Sequence, residues 1–484
     1  MKITNVELMP HLTHEVVEGI TKFQLDSYLI ALEGWRRGLK LTWYKDETSL
    51  CKMHRAGGST SGKFFTLKSE TREHDFFRSR GDLVSNKAVT ICQKKEETKV
   101  FLSKSDVPIP IGEIFDRDDE QEIFSYAEKI HFPIIIKPTS GSMGRGVYTN
   151  INSIDELKNA LEDFKKRYKY KSIIVEKHYF GQEYRIYVVG DKVIGATNRV
   201  PANIEGDGKS TVHELIKNKN EMRKANPYLA PKPMKIDYEI RNSLKNNGLS
   251  LESILSKNEI LSLREKSNLS TGGDPLEATD ELTEEVKQIA VDALKALPSI
   301  PHAGVDIIVD PEDNTKGVVL EANATAEIAF HMFPWEGNPK DVPRAIIDYY
   351  FPETKDNQRS LSYFDYKSIL APLNTWAADS VTVSPVSQEK LHGKQYNVVG
   401  KVQKVGYMNY IRRQALKKGL YGHSLKRDSN EIEIFLVGSE QSELDDFIDI
   451  CYKGSKKSKV DYVKEKDINI ENKPFKIGFE VITE

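Results

Sequence analysis

The run FPIIIKPTSGSMGRGVYTNI, residues 132–151, decides how the rest of the chain is read. A short apolar stretch ends in Lys137, then Gly141, Gly144 and Gly146 come at close spacing, and a second extended stretch begins. Glycine has no Cβ, so backbone N–H groups on such a turn can approach phosphate oxygens, and a neighbouring lysine adds a point charge. The order differs from a Walker loop, where Gly-Lys-Ser/Thr opens a helix, and from GxGxxG, which also leads into one. It predicts a glycine-rich flap between two strands, lying over a nucleotide; an ordinary hairpin turn is the plainer alternative.

Further along, AGVDIIVDPEDNTKGVVLEANATAE sets two apolar runs around the turn DPEDN, which predicts a second hairpin. Pairing symmetric about the Asp313–Asn314 bond places Asp306 opposite Glu321. Asn323, two residues on, projects from the same face because strand side chains alternate. Two carboxylates and an amide oxygen at one spot are hard ligands suited to Mg²⁺ between phosphates. Like charges across a hairpin are unfavourable without a cation, although a solvated acidic pair is the alternative.

Between these, SIIVEKHYFGQEYRIYVV puts Glu176 at the end of one strand and Glu183 and Arg185 at the start of the next. Such a connection suits adenine and ribose, with Arg185 toward phosphate or substrate; taken alone it reads as surface charge. RVPANIEGDGKST and NLSTGGD are loops dense in glycine, amides and hydroxyls, candidates for anion nests in a phosphate-handling protein.

Outward from the flap, EYRIYVVGDKVIGATNRV predicts a hairpin turning at Gly190-Asp191, and SIDELKNALEDFKKRY a helix capped by Ser153 with Glu156 at capping-box spacing. VTICQKKEETKVFLSKSDVPIP reads as one charged helix stopped by Pro108 and Pro110. Residues 1–90 form a small α/β unit, with FQLDSYLIALEGWRRGLKLTWY a helix running into a strand. Residues 353–392 are a linker that packs rather than floats, and 393–484 show the order βαββαβ of a ferredoxin-like domain. Strands and helices alternate without a Rossmann period, so the fold class is mixed α/β of the α+β kind.

Over 484 residues, 39% are apolar, 29% are charged and the net charge is −2, which excludes a disordered chain and a globally basic nucleic-acid surface. Cys51, Cys92 and Cys451 are too scattered for a disulfide framework or zinc module and favour a reducing compartment. The first residues lack the pattern of a secretory leader, and no stretch is long and apolar enough for a membrane span. A cytoplasmic protein without nucleic-acid or membrane partners is expected, with self-association left open.

In this order the motifs resemble the ATP-grasp superfamily, most closely the ligase module of cyanophycin synthetases, over roughly residues 88–352. The resemblance implies an N-terminal pre-ATP-grasp domain (1–90), an ATP-grasp domain (91–352), and an enzyme that phosphorylates a carboxylate with ATP before an amine displaces phosphate. It assigns Lys95 and Lys137 to the nucleotide phosphates and Gly141, Ser142, Gly144 and Gly146 to the flap. Glu176, Tyr179 and the adjoining backbone fall to adenine and Glu183 to ribose. Asp306, Glu321 and Asn323 fall to Mg²⁺, or Mn²⁺ in its place, while Arg185, Arg199 and Asn268 steady the phosphoryl group or acyl-phosphate. Small-molecule or peptide acids and amines are the implied partners. After Asn323 the sequence ATAEIAFHMFPWEGNP departs from that family's Pro-Gly loop, so the acceptor is not carried over. His331 in that run is expected to pack, with substrate contact as the alternative. Nothing in these residues matches the further domains of cyanophycin synthetases, and polymerisation is not implied.

GKVQKVGYMNYIRRQALKKGLYGHSLKRDSNEIEIFLVG, residues 400–438, resembles acylphosphatase. By that resemblance the phosphate-cradle arginine falls at Met408, the water-orienting asparagine at Lys426, and Lys404 replaces a cradle glycine. Met408 supplies no bidentate fork, and a lysine offers no acceptor for a water hydrogen. A hydrolytically inactive packing or docking domain is expected. Rival readings of the whole are an ATP-gated binding or scaffold protein and a phosphotransferase that stops at the acyl-phosphate.

Overall fold

The structure is a computed structural model describing residues 8–45, 53, 61–139, 145–428, 430–471 and 473–483. Helix Phe23–Arg36 is apolar around most of its circumference and buried from Leu25 to Arg36, so it forms the centre of the N-terminal unit rather than one face of it. It lies on a five-stranded sheet ordered Ser380–Thr382, Lys40–Tyr44, Phe64–Lys68, Glu73–Phe77, Arg80–Gly81. The first of those strands comes from the expected linker: Thr382 pairs with Thr42, and the rings of Phe364 and Tyr366 meet Tyr28 edge-on. Residues 353–392 therefore complete the N-terminal core instead of spacing two domains.

The single charged helix expected before Pro108 is two helices, Asn86–Gln93 and Lys95–Lys104. Lys94 between them is extended (φ −110°, ψ 104°), and the second helix ends at Ser105, ahead of the prolines. The break re-aims the second helix so that Lys95 stands in its first turn.

Two antiparallel sheets follow. One is ordered Gly112–Asp116, Ser172–Lys177, Ile134–Pro138, Tyr148–Ile151, and buries Ile134, Ile136, Ile173 and Val175 against Leu157, Leu161 and Phe164 of helix Ile154–Arg167. The glycine flap joins its last two strands; Gly146 has φ +70°, whereas Gly141, Ser142 and Gly144 lie outside the described residues. Ser153 caps the helix by accepting from the Glu156 N–H, but the Glu156 carboxylate turns to the Asn152 N–H (2.8 Å), so the box is half made. A complete capping box stands at Thr211 and Glu214 on helix Val212–Arg223. The other sheet is ordered Asp274–Glu277, Lys192–Val200, Gln182–Val189, His302–Val309, Gly317–Asn323. Val286, Ala290 and Leu294 of helix Glu284–Ala296 pack into the core that this sheet shares. The turn at Gly190-Asp191 falls where the sequence puts it, with Gly190 at φ +61°.

The C-terminal sheet runs Lys459–Ile468, His392–Lys401, Glu431–Gly438, Tyr421–Lys426, the 4-1-3-2 strand order of a ferredoxin-like βαββαβ unit. A fifth strand absent from the sequence reading, Phe479–Ile482, adds parallel to Tyr421–Lys426. The pair Phe475–Lys476 with Ser362–Tyr363, and Lys476 3.1 Å from Asp365, fasten this domain to the N-terminal unit. Among the described residues, no helix is long and apolar enough to cross a membrane.

Candidate active site

Strand register gathers the polar side chains onto one face of the second sheet. Asp306 pairs with Glu321 and Gly304 with Asn323, the symmetric pairing expected; a bulge between Asp306 and Ile307 then shifts the inner residues by one. On the other side Asp306 pairs with Arg185, which in turn pairs with Thr197.

Asp306 is only 3% exposed. Arg185 grips it with two prongs, through Nε and through Nη2 at 2.8 Å, and Arg199 Nη2 reaches the same carboxylate at 3.0 Å. Burial opposes ionisation of Asp306, yet the two guanidiniums outweigh it and hold the carboxyl well below the usual carboxylate range. Glu321 is half-buried; its Oε1 accepts from Asn323 Nδ2 at 3.1 Å and its Oε2 lies 3.6 Å from Lys95 Nζ. The three expected metal ligands thus share a face, with Asp306 gripped by Arg185 and Arg199 and Glu321 within 3.6 Å of Lys95 and 3.9 Å of Arg185. Among the described residues no three His, Cys, Asp or Glu side chains form a metal cage, so a third oxygen has to come from an amide such as Asn323. Turning that amide over sets its oxygen beside Glu321, a donor set that fits an oxygen-seeking divalent cation.

A second cluster lies on the first sheet. Glu176, 1% exposed, is held between Lys137 and Lys99, both in direct ion pairs with it. Burial resists its charge, but the two ammonium groups prevail and lower its pKa. Its carboxylate therefore faces the two lysines. The backbone after it is tied down by Lys177 N to Ile111 O (2.8 Å) and His178 N to Pro133 O (3.0 Å), leaving Tyr179 half-buried beyond. Lys99 escaped the sequence reading. Its signal is the spacing in KKEETK: Lys95 and Lys99 are four residues apart on one helix, so a single face presents one lysine to Glu321 and the other to Glu176.

Glu183, expected at ribose, is bonded to Arg199 and to the Ser267 hydroxyl at 3.1 Å. The side chain of Asn268 accepts from Ser270 N (2.9 Å) and Ser270 Oγ (2.7 Å), capping its own short turn rather than reaching toward Asp306. That loop is anchored by a buried cluster the sequence did not disclose: Asp274 lies 2.6 Å from both Lys219 and Arg223. At Gly272 (φ +107°) a Cβ would meet Met234 Cγ at 2.4 Å, so only glycine fits there. His331 is fully buried, its Nδ1 3.0 Å from Thr197 Oγ1 and its Nε2 without a partner among the described residues. Burial, helped by Arg185, pushes its pKa down to about 3, so it packs as a neutral ring.

Comparison with known proteins supplies a context for these two sheets. Residues 92–223 match the RimK-like ATP-grasp domain, and residues 394–481 match acylphosphatase. The middle of the chain is thus similar to an ATP-grasp module. It precedes a C-terminal acylphosphatase-like domain. The chain is 33% identical over 271 residues to cyanophycin synthetase of Geminocystis herdmanii, covering 55% of this chain and 31% of that protein. It is 35% identical over 274 residues to the glutathione biosynthesis bifunctional protein GshAB of Listeria monocytogenes, covering 54% and 35%. A bifunctional glutathione synthetase from Pasteurella multocida aligns with a TM-score of 0.49 at 29% identity, over 60% of this chain and 41% of that one. The match spans about a third of the length of these curated relatives.

Proposed function

We propose that the chain is an ATP- and Mg²⁺-dependent carboxylate–amine ligase that forms an amide or peptide bond on amino-acid or peptide substrates. The observation that carries this reading is the convergence of Lys95, Arg185, Arg199, Asp306, Glu321 and Asn323 on one sheet face, with Lys99, Glu176 and Lys137 one helical turn away. In this reading Lys95 and Lys137 lie along the phosphates beneath the glycine flap, with Tyr179 and Glu183 toward the nucleoside. Glu321 and Asn323, with Asp306, would hold the divalent cation, which when bound neutralises charge between phosphates. The substrate carboxylate oxygen attacks the γ-phosphorus, ADP leaves, and the amine then attacks the acyl carbon while phosphate departs and the nitrogen loses a proton. No side chain has to act as covalent nucleophile; Arg185 and Arg199 spread charge from the acyl-phosphate, with Asn268 in the neighbouring loop. Free Cys92 and Cys451 accord with a reducing, cytoplasmic setting.

The test is ADP release from the full chain with ATP and Mg²⁺, scored for dependence on both an added acid and an added amine. The product mass is expected to equal the two partners less one water. Glu321→Ala is expected to lower turnover by roughly 10²-fold or more, the scale of lost transition-state charge stabilisation, with little change in melting temperature. Undiminished turnover would overturn the assignment, and ADP release indifferent to acid and amine would favour an ATP-gated binder.

A further inference from the structure

The C-terminal domain concentrates positive charge at one end. Residues 400–427 carry eight Lys and Arg and neither Asp nor Glu, and residues 450–460 carry four lysines and no acid. Two loops of these stretches meet: 402–406, between strand His392–Lys401 and helix Tyr407–Lys417, and 454–458, between helix Phe447–Lys453 and strand Lys459–Ile468. Ser455 Oγ donates to Val405 O at 2.7 Å, which ties one loop to the other. Ser458 turns back onto Ser455 O through its N–H (3.0 Å) and its hydroxyl (2.8 Å), closing the second loop on itself. Lys401, Lys404, Lys456, Lys457 and Lys459 stand exposed around this junction, and among the described residues none of the five is paired with an acid.

Two features of this end work against stability. Lys401 lies directly across from Lys459 in the sheet, a like-charge pair that weakens strand pairing. Lys404 adopts φ +56°, the left-handed region that favours glycine, the residue that the resemblance to acylphosphatase puts there. An anion at this end relieves the repulsion and gives the lysines a partner. The form of the surface selects the anion. Met408 leaves no guanidinium fork for a single phosphate, whereas ammonium groups on flexible stems are separate point charges, suited to several carboxylates in a row. Neither loop contains an aromatic ring on which a base could stack. Their valines turn inward, Val402 buried and Val405 half-buried, so no exposed apolar side chain is offered to a bilayer. We propose that this end of the C-terminal domain docks an acidic polypeptide segment, several Asp or Glu side chains of the partner lying across the lysines of both loops. The dock needs no catalytic group and stands independently of the ligase reading.

Fluorescence anisotropy of labelled deca-glutamate with the full chain tests this, with deca-glutamine as the uncharged control. Deca-glutamate is expected to bind and deca-glutamine not, the affinity falling roughly tenfold or more between about 0.05 and 0.2 M salt as exposed charges are screened. Lys456→Glu combined with Lys457→Glu is expected to weaken binding roughly tenfold or more, since each attraction becomes a repulsion. Both side chains are exposed, so the melting temperature should hold. Lys404→Gly removes a charge and fits the backbone: affinity should drop roughly two- to fivefold while the melting temperature holds or rises. Lys217→Glu reverses an exposed charge on helix Val212–Arg223, in another domain, and should leave binding unchanged. Absence of deca-glutamate binding, binding that survives the paired reversal, or an equal loss with Lys217→Glu would overturn the dock. Tighter binding of a decathymidylate or of phosphatidylserine vesicles would overturn it too, giving the surface to a nucleic acid or a membrane.

Discussion

Two β-sheets in this chain resemble folds associated with phosphate chemistry, and they treat charge in opposite ways. On the sheet around Asp306, charged groups are buried and committed to one another: Arg185 and Arg199 on Asp306, Lys95 toward Glu321. In the C-terminal domain, the two positions that the resemblance to acylphosphatase assigns to arginine and asparagine hold Met408, on helix Tyr407–Lys417, and Lys426, on strand Tyr421–Lys426. Met408 packs against the domain core, and Lys426 sits exposed at a strand end opposite Ile432. The core of that domain, including Tyr396, Ile411, Leu436 and Phe447, takes Met408 at its edge as one more apolar contact. Packing and catalysis draw on different residues, so a fold does not by itself carry its family's chemistry.

The contrast can be broken most sharply at Asp306. Asp306→Ala takes the two-pronged partner from buried Arg185 and leaves Arg199 to Glu183 alone, so a loss of about 3–5 kcal/mol in urea unfolding is expected together with loss of ADP release. A stable, active variant would show that the pairing is ornamental. Next in size is Lys99→Met, which removes one of the two cations on Glu176. Losing a charge-assisted hydrogen bond of about 1.5–3 kcal/mol is expected to lower kcat/KM for ATP by roughly ten- to a hundredfold, read from initial rates. The smallest effect belongs to the other sheet. Lys426→Ala is expected to shift stability by no more than about 0.5 kcal/mol and to leave ADP release unchanged. The full chain should hydrolyse benzoyl phosphate no faster than buffer, and hydrolysis abolished by Lys426→Ala would return catalysis to the C-terminal domain.

Local patterns were readable from the sequence and long-range pairings were not. Turn residues and strand alternation are local, which is why the Gly190-Asp191 turn and the facing of Asp306 and Glu321 are legible in the sequence. The bulge beside Asp306 was hidden because one unpaired residue leaves no compositional mark. Lys99 and Glu176 are 77 positions apart, and no local pattern links them. Thr382 reaches Thr42 only after the chain has built two other sheets, so residues 353–392 looked like a connection. Glu156 had the right spacing from Ser153, but the Asn152 N–H competed for its carboxylate.

Helix Lys95–Lys104 has a mechanical consequence. Its two hooks, Lys95 and Lys99, are set about 6 Å apart by the helical rise, and each catches an acid on a different sheet. The sheets cannot swing apart without tearing one hook loose or dragging the rod along. A short, stiff spacer of this kind fixes how wide the jaws open at rest.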